Sequence, residues 1–172
     1  MIRECQLDDA DRIYFIINEA AKAYQGVIPA DCYHQPYMSM DELEREMKRI
    51  TFFGWEADGE LVGVMGFEPI KDITLIRHSY VLPRWQRQGI GSELLNHLEG
   101  LGAAPRLLVV TWADAQWAID FYQRRSFSIL PDGDKLFVVG INPPLQVFIG
   151  LGLSVGSLIL SVCVMKLRHL LE

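Results

Sequence analysis

Two apolar rhythms alternate along the chain. Ile13, Ile16, Ile17, Ala20, Ala21 and Tyr24 recur at the three-to-four-residue spacing of one helix face. Asp8 stands before them as an N-cap, so a helix is predicted from about Asp9 to Tyr24, preceded by a short strand from Ile2 to Leu7. Gln25 to Met38 carries Gly26, Pro29 and Pro36 and reads as a loop. Ser39 and Glu42 have the spacing of a capping box, which opens a second helix with Leu43, Met47 and Ile50 on one face. The rhythm then becomes that of strands. Thr51 to Ala57 is aromatic and β-prone, Asp58-Gly59 is a hairpin signal, and Glu60 to Phe67 returns antiparallel. Pro69 to Asp72 turns the chain into a further strand, Ile73 to Leu82. Plain alternation there puts Thr74, Ile76, His78 and Tyr80 on one side, and Ile73, Leu75, Arg77, Ser79 and Val81 on the other.

Ile90, Leu94, Leu95 and Leu98 mark a third helix that ends near Gly100 and Gly102. The run Leu107 to Val110 places a buried strand at Arg106 to Trp112. Asp114 is the expected cap of a fourth helix carrying Ala118, Phe121, Tyr122 and Arg125. Phe127 to Leu130 reads as a short strand, and Pro131-Asp132-Gly133-Asp134 as a turn. This order of elements predicts a mixed α/β sheet with helices on its faces.

Composition narrows the classes. The chain has 172 residues, half apolar and 22% charged, which predicts one globular domain with a proper core. The net charge of -6 argues against a general nucleic-acid binder and suits a cationic partner such as an amine. Cys5, Cys32 and Cys163 are odd in number, far apart and without a CxxC pair, so neither a disulfide framework nor a zinc site is expected. A cytoplasmic protein without a metal follows. Charges from Arg3 to Arg12 interrupt any leader-like apolar run.

The segment from Val81 to Ser92 joins the end of a strand to an amphipathic helix through Gln86-Arg87-Gln88-Gly89-Ile90-Gly91. The first amides of such a helix lack internal partners, and the helix dipole favours an anion there. Gly89 and Gly91 remove side chains that would block the approach, and Arg84 and Arg87 add positive charge. A phosphate or pyrophosphate site is predicted. Neither the GxxxxGK[ST] nor the GxGxxG spacing is present.

These residues resemble the Q/R-x-x-G-x-G/A loop of the GNAT acetyltransferase superfamily. Tyr80-Val81-Leu82-Pro83 resembles the family's run into the loop. Ala118 to Phe127 resembles its A-x-x-F-Y-x-x-x-G-F segment, and the order of elements agrees from about residue 2 to 130. The resemblance implies a twisted, largely antiparallel sheet with helices on both faces, an acyltransferase domain of about residues 1–140, and acetyl-CoA as co-substrate. It implies that Arg87, Gln88, Gly89, Ile90, Gly91 and Ser92 hold the pyrophosphate, and that the backbone of Val81 and Leu82 pairs with the pantetheine arm. Tyr122 would protonate the departing thiolate after a primary amine, on a small molecule or a peptide, attacks the thioester directly in a ternary complex. Tyr24 and Tyr33, with Cys32 and His34, fall in the region that helps form the family's acceptor pocket, while Tyr80, Trp112 and Trp117 either line the cleft or belong to the core. Ser126 departs from the family glycine that ends the fourth helix, which predicts a shifted turn there.

For the base that must deprotonate the amine, His78 and Glu68 are the candidates by strand position, and Asp72 reads as a turn residue. Each also has a plain reading: a satisfied sheet histidine, a solvated carboxylate, a core tyrosine at Tyr122. A non-catalytic acyl-CoA-binding or regulatory module is the alternative to an enzyme. The tail departs from the family pattern. Leu145 to Met165 is 21 residues without charge, followed by Lys166, Arg168 and His169. Two strands, Val147 to Leu153 and Ser157 to Val164, completing the same domain, are the preferred reading of 141–172. A membrane helix and a protein–protein or swapped segment, as in a homodimer, are the alternatives.

Overall fold

The computed structural model describes residues 1–70, 73–101, 106–132 and 135–141. Its elements are β1 (Ile2–Glu4), α1 (Ala10–Ala21), α2 (Met40–Met47), β2 (Thr51–Ala57), β3 (Glu60–Ile70), β4 (Ile73–Val81), α3 (Ile90–Gly100), β5 (Arg106–Trp112), α4 (Gln116–Gln123), β6 (Ser128–Asp132) and β7 (Lys135–Ile141). The strands form one sheet in the order β1-β2-β3-β4-β5-β7-β6. Every pairing is antiparallel except β4 with β5. Helices cover both faces. Phe53 packs on His97 of α3, while its neighbour Phe52 stacks on His78, which is bonded to Glu46 of α2. Successive strand residues point to opposite faces, so α2 and α3 lie on opposite sides. Ile13, Ile16 and Ile17 of α1, Leu94 and Leu95 of α3, and Val62, Val64 and Met65 of β3 are fully buried between them. Each such side chain contributes about 1.5–3 kcal/mol.

Local signals act as their chemistry dictates. Ser39 Oγ accepts from Glu42 N–H at 3.2 Å and caps α2. Asp58 and Gly59 both take positive φ, 52° and 79°, the two left-handed residues of a tight hairpin. Other expectations need correction. Asp8 does not cap α1: a 3-10 turn, Leu7–Asp9, leads into it, and Asp9 accepts from Gln6 N–H at 2.8 Å. Asp114 does not cap α4, whose N-cap is Ala115 with no side-chain bond. β3 continues through Pro69, which lies opposite Thr74, rather than turning there. The pairing of β2 with β3 ends at Thr51 and Phe67, so β3 has an edge at Pro69 where a missing N–H costs no ladder bond.

The closing strand, β7, lies earlier than expected. It inserts between β5 and β6 and pairs along the whole of β5. The strands expected at Val147 to Leu153 and Ser157 to Val164, and the membrane-helix and swapped-segment alternatives, fall outside the described residues, as does Asp72. Among the described residues no helix is long and apolar enough to cross a membrane.

Ser126 keeps the turn unshifted. It takes the left-handed conformation at φ 64°. Phe127 N–H donates to Tyr122 C=O at 3.3 Å and Ser126 N–H to Gln123 C=O at 3.1 Å, the bond pair of a Schellman ending. A left-handed non-glycine residue costs about 1–2 kcal/mol. Ser126→Gly is therefore expected to raise stability by about 1 kcal/mol, read as a higher urea midpoint at unchanged slope.

Candidate active site

The sheet opens where the parallel strands part. β4 and β5 pair only from Ile73 with Arg106 to Ile76 with Val109, yet β4 continues to Val81 and β5 to Trp112. At the divergence β4 bulges. His78 has φ 50°, and His78 and Ser79 together stand opposite the single residue Met65. Side-chain alternation breaks here. Tyr80 faces Val64 and Arg77 faces Gly66, two residues apart on β3, so Tyr80 and Arg77 share the α1/α2 face. The expected grouping of Tyr80 with Thr74 and Ile76, and of Val81 with Arg77, is overturned by the one extra residue.

A cleft of about 1090 Å³ fills the gap. Ile76 to Val81 form one wall and Val109 to Thr111 the other, with Gln86, Arg87 and Gly89 to Ser92 at one end. Trp117, Phe121 and Tyr122 of α4 and Tyr24 complete it.

The loop end is built for an anion. Gln86 Nε2 donates to Val81 C=O at 2.9 Å and Gln88 Nε2 to Arg84 C=O at 3.1 Å, which brace the loop across a 3-10 turn, Pro83–Trp85. Arg87 at φ 59° and Gly89 at φ 87° both turn left-handed before α3. No side chain caps α3, and Glu93 N–H to Gly89 C=O at 3.0 Å is its first-turn bond. The amides ahead of Glu93 therefore lack helical partners. A Cβ on Gly89 would meet nothing within 4 Å, so the space beside these amides is open. A Cβ on Gly91 would lie 3.4 Å from Phe121, which explains how α4 reaches α3. Arg125 stacks over Phe121 at 4.0 Å and hydrogen-bonds Ser92 Oγ. Arg124 and Arg125 line the cleft with Arg87, whereas Arg84 stacks on Trp85 outside the lining. Uncapped amides, open space and lining arginines fit the pyrophosphate of acetyl-CoA.

Of the two backbone partners named for the pantetheine arm, Val81 is the one that faces the cleft. Leu82 donates to Val62 C=O at 2.9 Å, accepts from Trp85 N–H at 2.8 Å and is buried. Antiparallel alternation then turns the N–H and C=O of Val81 away from β3.

Tyr122 is buried with its ring against Phe121 at 4.9 Å and Phe127 at 5.3 Å. Burial pushes its pKa up to about 12, against the pull of a Ser79 hydrogen bond and the Arg125 charge. The hydroxyl is protonated at neutral pH.

The candidate bases sit in an ionic cluster on the α1/α2 face. His78 Nε2 lies 3.1 Å from Glu46 Oε2, which Arg77 also reaches at 2.9 Å, and Arg49 holds Glu46 Oε1 at 2.5 Å. Glu68 is buried with Arg49 at 3.2 Å and Arg77 at 3.4 Å, and is not among the residues lining the cleft. His78 is. Burial pulls the His78 pKa below its ordinary value, with Arg77 adding to the effect and Glu46 opposing it. Burial opposes ionisation of Glu46 too, but the His78 bond and the Arg77 and Arg49 charges outweigh it and bring Glu46 to about 2. Both shifts mean that the unfolded chain binds more protons in acid, so both erode stability as pH falls. The His78 contribution declines below about 6.5 and the Glu46 contribution below about 4.5, their ordinary values. Thermal melts are expected to show two successive losses on acidification, with the lower one flattened in Glu46→Gln.

At the far end, Tyr24, Tyr37 and Tyr80 bring their hydroxyls together, and burial raises the pKa of all three. Tyr24 stacks on Tyr37 at 5.5 Å and meets Trp117 at 5.6 Å, while Trp112 Nε1 donates to the Tyr37 hydroxyl at 3.4 Å. Tyr24 and Tyr80 line the cleft; Tyr33 sits behind, 6.2 Å from the Tyr37 ring. Tyr37, Arg124 and Glu46 were missed by sequence reasoning. Only the Arg124-Arg125 pair beside the Phe121-Tyr122 segment offered a signal. Among the described residues no group of three or more His, Cys, Asp or Glu could hold a metal ion.

The acetyltransferase (GNAT) family model matches residues 13–127. The peptidyl-lysine N-acetyltransferase YiaC of Escherichia coli (strain K12) is 33% identical over 76 residues, 44% of this chain and 49% of that protein. The match thus spans about half the length of that curated relative. The PaiA N-acetyltransferase from Thermoplasma acidophilum, solved in complex with coenzyme A, superposes with TM-score 0.71 at 19% identity, over 82% of this chain and 98% of that one. The ribosomal-protein-S18-alanine N-acetyltransferase from Escherichia coli gives 0.66 at 20% identity, over 85% and 96%. At these identities the structural likeness shows the fold alone. The family model covers most of the described chain, and on that match the chain belongs to the acetyltransferase (GNAT) family.

Proposed function

We propose that the protein transfers an acetyl group from acetyl-CoA to a primary amine, on a small molecule or a peptide, by direct attack in a ternary complex. The observation that carries this reading is a protonated, buried Tyr122 in the cleft that also holds the uncapped end of α3. Amides from Gln88 to Ser92, with Arg87, hold the pyrophosphate, and the Val81 backbone pairs with the pantetheine arm. Acetyl-CoA, when bound, supplies the activated acetyl thioester. Tyr122 gives its proton to the departing sulfur. His78 takes the proton of the amine. Glu68, engaged by Arg49 and Arg77, serves instead to hold Arg77 against Glu46. Tyr24 and Tyr80 flank the acceptor, with Tyr33 behind them. The three scattered cysteines, Cys5, Cys32 and Cys163, support a cytoplasmic enzyme without a metal.

Ser126 and the apolar tail motivate the alternative of a non-catalytic acyl-CoA-binding module; the left-handed turn at Ser126 removes the first motive, and the tail lies outside the described residues. Melting with acetyl-CoA, with ADP as a partial mimic, tests the site. At 100 times its dissociation constant a ligand adds about 2.7 kcal/mol, or about 5–10 °C for a chain this size. No shift at millimolar acetyl-CoA would reject the reading.

A further inference from the structure

We infer that Glu46 is a positioning residue for His78: its carboxylate fixes the imidazole as the Nε2–H tautomer and so leaves Nδ1 as the atom that accepts the amine's proton. This rests on the acetyl-transfer reading above.

Three observations carry it. First, the bulge at φ 50° sets consecutive side chains, Arg77 and His78, against one carboxylate oxygen, which plain strand alternation would forbid. A left-handed histidine inside a strand is costly, and such strain persists where the surroundings hold it. Second, Glu46 is held at both oxygens, by Arg49 on one and by Arg77 and His78 on the other. Glu68 bridges the same two arginines from β3. The carboxylate therefore has a set orientation and stays ionised. Third, His78 lines the cleft, Phe52 stacks on its ring at 5.7 Å, and Nδ1 has no hydrogen-bond partner among the described residues.

A carboxylate can only accept, so Nε2 facing an ionised Glu46 carries the hydrogen. The lone pair is then on Nδ1. The ammonium proton passes to Nδ1, the amine nitrogen uses the freed electron pair for the new C–N bond, the C–S bond breaks as Tyr122 protonates the sulfur, and the second proton leaves the nitrogen as the amide forms and restores the Tyr122 hydroxyl through solvent. The imidazolium formed is stabilised by Glu46 and returns its proton to water. A base held by a third group follows the same logic in other enzymes. The charged groups facing His78 are Glu46 and, farther off, Glu42 from α2, Arg77 beside it on β4, and Arg49 and Glu68 through the cluster; β2 contributes only the Phe52 ring.

The test is a nitrogen-15 titration of the imidazoles in the ligand-free protein, with His78→Gln assigning the signal, beside the pH profile of kcat/KM. The wild type should show a neutral Nε2–H tautomer at pH 7. In Glu46→Gln the His78 pKa should move lower, because a charge that opposes burial is gone, and the acid limb of the profile should move with it. Loss of this orientation should cost part of the roughly 10²–10⁴-fold that a positioned base contributes, with the KM for acetyl-CoA unchanged. Glu46→Asp keeps the charge and should restore the titration. An Nδ1–H tautomer, or a His78 titration that Glu46→Gln leaves in place, overturns the inference. Full turnover in His78→Gln overturns both the base assignment and this role. If no amine is acetylated at all, the transfer reading fails, while the tautomer and titration still decide whether Glu46 sets the imidazole.

Discussion

Tyr122→Phe is expected to lower kcat by about 10²-fold or more while leaving affinity for acetyl-CoA intact. A positioned general acid contributes about 10²–10⁴-fold. The hydroxyl here is buried and protonated, and its pKa, pushed up to about 12 by burial, keeps it in the donating form across the working range. The substitution removes one oxygen and keeps the ring, so the contacts with Phe121 and Phe127 survive. The fold should hold. The cost is confined to the Ser79 partner and to the proton that the leaving sulfur no longer receives. Rapid-mix turnover together with calorimetric binding separates the two: a tyrosine that serves only the core would change melting and leave kcat alone.

Gly89→Val is expected to abolish stabilisation by acetyl-CoA. Gly89 sits at φ 87°, where a residue with a Cβ is strained by about 1–2 kcal/mol and a β-branched one by more. The space beside it is open, so a side chain there meets no protein atom and occupies the ground a pyrophosphate would take. The variant should melt somewhat lower than the wild type. The rise in melting temperature with acetyl-CoA should vanish, and ADP should lose its smaller effect in parallel. Gly26, also left-handed at φ 74° with open space around it, is the control: Gly26→Val carries similar strain away from the loop and should keep the ligand response.

The parts of this fold that could be read along the chain are those governed by near neighbours. Periodic apolar positions placed α1 and α3, the Asp58-Gly59 turn closed the hairpin of β2 and β3, whose register then shifts by one residue between Trp55 and Glu56, and glycines between strand and helix marked the loop. What could not be read depends on distant partners or on single-residue irregularities. Nothing near His78 announces a left-handed residue, and without it the sides of Tyr80 and Val81 are reversed. The Glu46–His78 bond joins residues 32 apart whose meeting depends on how α2 lies over the sheet. Tyr37 meets Tyr33 in its own loop, but its contacts with Trp112 and Tyr24 reach across the fold and have no local signal. β7 was legible as the apolar run Leu136 to Val139, but the longer run from Leu145 drew the closing strands away from it. Ser126 shows that a position can be right and its consequence wrong: the serine takes the conformation a glycine would.

Acetyl transfer at the cleft between β4 and β5 is read from thiol release when the folded protein meets acetyl-CoA and a panel of primary amines. At least one amine is expected to release thiol in step with its own acetylation, and Tyr122→Phe to suppress the release without weakening acetyl-CoA binding. Thermal stabilisation by acetyl-CoA with no amine releasing thiol above background would contradict it and leave a cleft that binds without catalysing.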